Sequence, residues 1–142
     1  MEDLNSLRQE MLKVLSVVPD LTPNGMKSDL ATLGYHYDGK PEEMLSSELL
    51  QQFSACKNWL NKVVKIRSFN QKYTSYRYKH MVERWADLYV SNGAFIAAAI
   101  ALDFPIKRNH SKSPNVFLPI SNKSVKEMKE QEKKILHNCS GY

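Results

Sequence analysis

His80 and Glu83 stand three residues apart in SYRYKHMVERW, so on a helix they share a face. An imidazole oriented by a carboxylate is a recurrent device for moving protons. Catalysis would also need a nucleophile or a metal, and the sequence places no Ser, Cys or metal ligand set beside the pair. Surface His and Glu on a charged helix are commonplace, and that is the stronger account of these two. Other reaction chemistries find less support. Gly25, Gly34, Gly39, Gly93 and Gly141 are isolated, whereas a phosphate-cradling loop needs several glycines together at a strand-to-helix turn. His36, His80, His110, His137, Cys56 and Cys139 are scattered, with only His137 and Cys139 close in sequence, so neither a metal nor another cofactor is expected. Glu42 and Glu43 follow Pro41 and are explained by a helix opening. The balance leans away from an enzyme.

The stronger signal is for binding. KVVKIRSFNQKYTSYRYKH interleaves cations with aromatic rings, and residues 62–113 hold ten Lys and Arg against three Asp and Glu. Residues 1–61 are net −4 and residues 114–142 net +2, within a total of +5. Charge segregated in this way suits a polyanion or an acidic protein surface. Lys65, Arg67, Lys72, Arg77, Lys79, Arg84, Lys107 and Arg108 are candidates to neutralise phosphates, with His80 beside them, and Tyr73, Tyr76 and Phe69 to stack on unpaired bases. The competing account makes Tyr78 and Tyr73 core residues and the cations mere solvating charges. Residues 75–88 and 93–103 have the lengths of a helix-turn-helix, but the second segment, with Ala94, Phe95, Ile96 and Ala97, offers nothing to hydrogen-bond a base edge. The expectation is a non-enzymatic binding protein whose basic face engages nucleic acid mostly through phosphates. The alternative is an inhibitor or adaptor that covers an acidic surface of another protein.

SYRYKHMVERWADLYVSNGAFIAAAIALDF, followed by SPNVFLPIS, resembles a stretch of short, mostly uncharacterised bacterial and phage mobile-element proteins. Ser75, Tyr76, Lys79, His80 and Glu83, then Tyr89, Ser91, Asn92, Gly93 and Phe95, carry the likeness, which covers about a third of the chain. It brings no established activity. It implies a mobile-element or phage setting, in which small proteins bind DNA or inhibit a host machine.

Helices must position these residues. Leu4, Leu7, Met11, Val14 and Val18 step by threes and fours, which predicts an amphipathic helix stopped by Pro19. A shorter helix is expected over residues 25–33 with Gly34 as its cap, then a loop over 35–40. Pro41 with its two acids should open a long helix whose apolar stripe, Leu45, Leu49, Phe53, Cys56, Leu60 and Val63, runs to about Ile66, with residues 67–73 fraying. Thr74 or Ser75 should cap the next helix, turning Tyr78, Met81, Val82, Trp85, Leu88 and Tyr89 inward. Ser91 or Asn92 should cap GAFIAAAIALDF, apolar all round and so a central packing helix. Val116 to Ile120 reads as an edge strand or coil because of Pro119. Ser124 and Glu127 have capping-box spacing and should start the last helix.

The fold class is therefore mainly α: a compact bundle of five or six helices with at most a short strand or hairpin near 115–120. Residues 1–123 read as one helical domain and 124–142 as a loosely attached C-terminal helix and tail. At 142 residues one core is the default. Cys56 and Cys139, far apart, suit a reduced protein. The N-terminus lacks the apolar run of a signal peptide and no apolar run reaches membrane-spanning length, so a soluble, cytoplasmic protein with no membrane partner is expected. The first and last helices are each candidates for a homodimer contact.

Overall fold

The computed structural model describes residues 2–27 and 39–140, the last seven of them by backbone alone. Asp3 opens helix α1 (Leu4–Val17) by accepting the Ser6 amide at 2.8 Å, and the spacing of Leu7, Met11 and Val14 buries all three. The chain then turns tightly, with Thr22 and Gly25 bridging one another. Residues 25–27 are not helical, and the rest of the helix expected there, its Gly34 cap and most of the following loop lie outside the described residues.

Pro41 opens only a short 3-10 helix, Pro41–Leu45, in which Glu43 accepts the Lys40 amide at 3.0 Å. The α-helix proper, α2 (Ser47–Leu60), starts later, where Ser46 accepts the Leu49 amide. It also ends earlier than Ile66. Val63, Val64 and Ile66 are β-branched, and after Leu60 the chain leaves the helix to form strand β1 (Lys65–Asn70) in place of the expected helical and frayed residues. The partner that draws it out is distant in sequence: β1 pairs antiparallel with β3 (Val116–Ile120), which also pairs antiparallel with the two-residue β2 (Lys107–Arg108).

The sheet order β1-β3-β2 corrects the expectation of a nearly all-helical bundle with at most a hairpin: the fold is mainly α with a small three-stranded sheet. It also puts Pro119 in the central strand, not at an edge. The pairing accommodates it because the register shifts between the Lys65–Ile120 and Asn70–Leu118 pairs, so no regular ladder position asks the proline for a donor. Both outer strands carry exposed cations, Lys65 and Arg67 on β1 and Lys107 on β2, which blunts them against pairing with other chains.

Helix α3 (Ser75–Ala86) buries Tyr78, Met81 and Val82 as predicted. Thr74 sits at its N-cap without a side-chain bond, while Ser75 turns inward and accepts the Val116 amide at 3.1 Å, tying helix to sheet. Leu88 and Tyr89 are exposed, contrary to expectation, because Asp87 takes a left-handed conformation (φ 51°) that stops the helix and breaks its period. Ser91 caps helix α4 (Asn92–Ala101) by accepting the Ala94 amide, and every residue from 92 to 99 is buried. α4 packs chiefly on α2, and Gly93 meets the Thr22 turn so closely that its amide donates to the Pro23 carbonyl at 2.9 Å.

Helix α5 (Asn122–Ser140) begins three residues before the anticipated capping box, with Ser121 accepting the Ser124 amide. Ser124 serves another purpose. Its hydroxyl accepts the Val64 amide at 3.0 Å and donates to the Ser121 carbonyl at 2.8 Å, linking the start of α5 to the approach of β1. Val125 and Met128 join the core beneath it. No helix among the described residues is long and apolar enough to cross a membrane.

Candidate functional site

An aromatic chain leads from the core to the surface. Phe95 of α4 stacks on Tyr78 of α3 with ring centres 5.9 Å apart, Trp59 of α2 leans on both at 6.1 Å, and Tyr78 meets the half-buried Tyr73 edge-on at 5.8 Å. Burial of Tyr78 pushes its phenol up to about 12, with a smaller push from Tyr73. Three cations gather round the Tyr73 ring: Lys72 Nζ at 5.4 Å, the Arg77 guanidinium at 5.4 Å and Lys129 Nζ of α5 at 5.8 Å. Beside them Lys123 and Lys126 line the same surface with Tyr73 and Asn122.

From there a groove runs between α3 and α5. It holds a cavity of about 190 Å³ floored by Trp59, Met81, Trp85, Val125 and Met128, with Arg77, His80, Arg84, Lys129 and the acidic Glu132 at its walls. The ion pairs among the described residues join Lys57 to Glu2 and Glu10, and Glu83 to Lys79 and His80. None takes up Lys72, Arg77, Arg84, Lys123, Lys126 or Lys129. Six cations along one groove, with Glu132 the acid at its wall, leave a local excess of positive charge.

Of the residues singled out in the sequence, Lys72, Tyr73, Arg77, His80 and Arg84 come together here. Tyr76 lies one step around α3, half-exposed, its ring edge-on to His80 at 4.7 Å. Lys65 lies apart on β1, where its ammonium donates to the Asp103 carbonyl and sits 4.6 Å from the centre of the Phe104 ring. Arg67 and Lys107 are on the sheet, away from the groove's lining. Arg108 is engaged internally: its Nη2 donates to the carbonyls of Lys27, Ser111 and Ser113, and its Nε is buried without a partner. Lys79 is buried as well, 6 % exposed, with Glu83 at 3.5 Å. The lysines of α5 were missed by sequence reasoning, although Lys123, Lys126 and Lys129, three apart, form a stripe that a helix reading makes visible.

The His80–Glu83 pair forms as its spacing predicts, with Nδ1 to Oε1 at 2.7 Å. Glu83 does more than face its histidine. Its Oε2 accepts the Val90 amide at 3.1 Å and approaches Lys79, so one carboxylate ties the helix to the loop that follows it. Burial raises its carboxyl, but the Val90 amide, His80 and Lys79 together outweigh that and hold it below the usual carboxylate range. No family model, curated protein or solved structure matches the chain. Among the described residues no cluster of His, Cys, Asp and Glu is arranged to hold a metal. Asn92, at the start of α4, directs its Nδ2 to Asn24, Pro114 and Asn115, while its buried Oδ1 has no partner. The geometry offers a charged surface with stacking rings beside it.

Proposed function

We propose that the protein is a non-enzymatic nucleic-acid binder that holds phosphates along the groove between α3 and α5. The observation that carries this reading is the convergence of six cations outside any ion pair, five from two helices far apart in sequence and Lys72 from the loop before α3, around Tyr73 and the groove beside it. A groove with this excess of positive charge favours a polyanion, which releases its counterions on binding. The test is a fluorescence-anisotropy titration with labelled oligonucleotides over a range of salt. Five phosphate contacts would give log K against log salt a slope of about −4.5 on duplex DNA or about −3.5 on a single strand. Replacing Arg77, Arg84, Lys126 and Lys129 with Ala should weaken binding at least tenfold and flatten that slope. No binding at micromolar protein in low salt, or affinity indifferent to salt, refutes it.

The apolar floor of the same groove favours a second reading: an acidic protein surface that inserts an apolar anchor over Trp85 and Met128. Such a complex would survive nuclease treatment and moderate salt, which the first would not.

A further inference from the structure

Residues on α3 advance by about 100° each, so Tyr76, His80, Arg84 and Arg77 follow one another across its exposed face, with Lys79 and Glu83 on the far side of Tyr76. Lys79 is enclosed, yet its ammonium stands 5.2 Å from the centre of the Tyr76 ring and 5.2 Å from that of Tyr89. Both tyrosines remain open to solvent, Tyr76 by 52 % and Tyr89 by 66 %. Exposed aromatics scattered singly are ordinary. This pair is different in being held: His80 meets Tyr76 edge-on, Glu83 fixes the Val90 amide next to Tyr89, and one buried cation lies against both rings.

A cleft of about 290 Å³ opens beside them, walled by Tyr76, Lys79, Tyr89, Asn92, Pro114 and Asn115. Sites for drug-sized ligands begin at about 300 Å³, so this one suits a single flat ring system better than an extended cofactor. Tyrosine faces stack on any base, and because Asn92 already spends its Nδ2 on Asn24, Pro114 and Asn115, the site takes a base by stacking and not by reading its edge.

We propose that the cleft takes an unpaired base of a strand whose phosphates run along the α3–α5 groove, which makes the protein a single-strand binder. The inference rests on the nucleic-acid reading of that groove and specifies its ligand. In a duplex the bases are already stacked and paired, so the tyrosines gain nothing from it. A single strand passing over His80 offers a base on one side and phosphates on the other. Lys79 acts behind the rings, setting their positions.

The test compares anisotropy titrations of a single strand of about twelve nucleotides and the duplex of the same sequence, at one salt concentration. The unmodified protein is expected to bind the single strand at least tenfold tighter. The exposed positions allow the double variant Tyr76→Ala, Tyr89→Ala to fold, which circular dichroism checks. It should lose at least tenfold on the single strand and less than twofold on the duplex, while Tyr76→Phe with Tyr89→Phe keeps the preference. Equal affinity for both forms, or an unchanged preference in the alanine variant, overturns the base cleft. If salt-dependent binding persists in that case, the phosphate groove stands without it. If neither form binds, both readings fall.

Discussion

At the residue scale, Glu83 couples helix, histidine and loop, and its acid dependence follows from its lowered carboxyl. The folded value lies below the unfolded value of about 4.5, so its contribution is complete above that pH and is lost as pH falls through the folded value. Glu2 behaves alike: its bond from Lys57 outweighs the opposing effect of burial, with a further lowering from Glu10. The melting temperature should therefore drop as pH falls below about 4.5. Glu83→Gln should cost about 1 kcal/mol at neutral pH and flatten part of that acid limb, the remainder belonging to Glu2. Thermal melts across pH check both. Tyr78 makes the opposite case. Its hydroxyl is buried without a partner, so Tyr78→Phe should leave stability unchanged or raise it by about 1 kcal/mol in urea unfolding. A loss larger than that would reveal a partner for the hydroxyl.

At the scale of elements, the packing of α4 depends on Gly93. A Cβ at this position would fall 1.9 Å from the Thr22 carbonyl oxygen and 2.9 Å from Pro23 Cα, backbone atoms that cannot swing aside as a side chain can. The turn at Thr22 must then move, and it already presses on Asn92 from the other side, where Gly25 (φ 121°) leaves room for the Asn92 amide. Gly93→Ala should destabilise the protein by about 2 kcal/mol or more, read as a shift in the urea midpoint. It would also disturb the wall of the Tyr76–Tyr89 cleft, so it is no substitute for the tyrosine variants.

At the scale of the molecule, the net charge of +5 understates the local field, because acids concentrate toward the N-terminal part while α3 and α5 contribute the groove. Anything that binds the folded state alone raises its stability. Heparin, a polyanion without bases, should raise the melting temperature at low salt and lose that effect as salt increases. It should also compete with duplex for the groove. Differential scanning fluorimetry reads the shift, and an unchanged melting temperature at low salt would count against a polyanion-binding groove.

The amphipathic stripe of α1, the buried face of α3 around Tyr78, Met81 and Val82, and the all-apolar α4 were legible in the sequence because helical periodicity and capping are local. So was the His80–Glu83 contact, set by a spacing of three within one helix. The end of α2 was not. Val63 continues its stripe in sequence, yet pairing with β3 some fifty residues away converts the next segment to strand, and no local signal encodes that distant partner. The groove was half visible. The cations of α3 stood out, but only tertiary packing brings Lys129 to the Tyr73 ring, encloses Lys79 and commits Arg108 to three carbonyls. Composition determined how much positive charge the molecule carries. Which cations face solvent together depended on long-range contacts, since a side chain's exposure is a property of its neighbours in space.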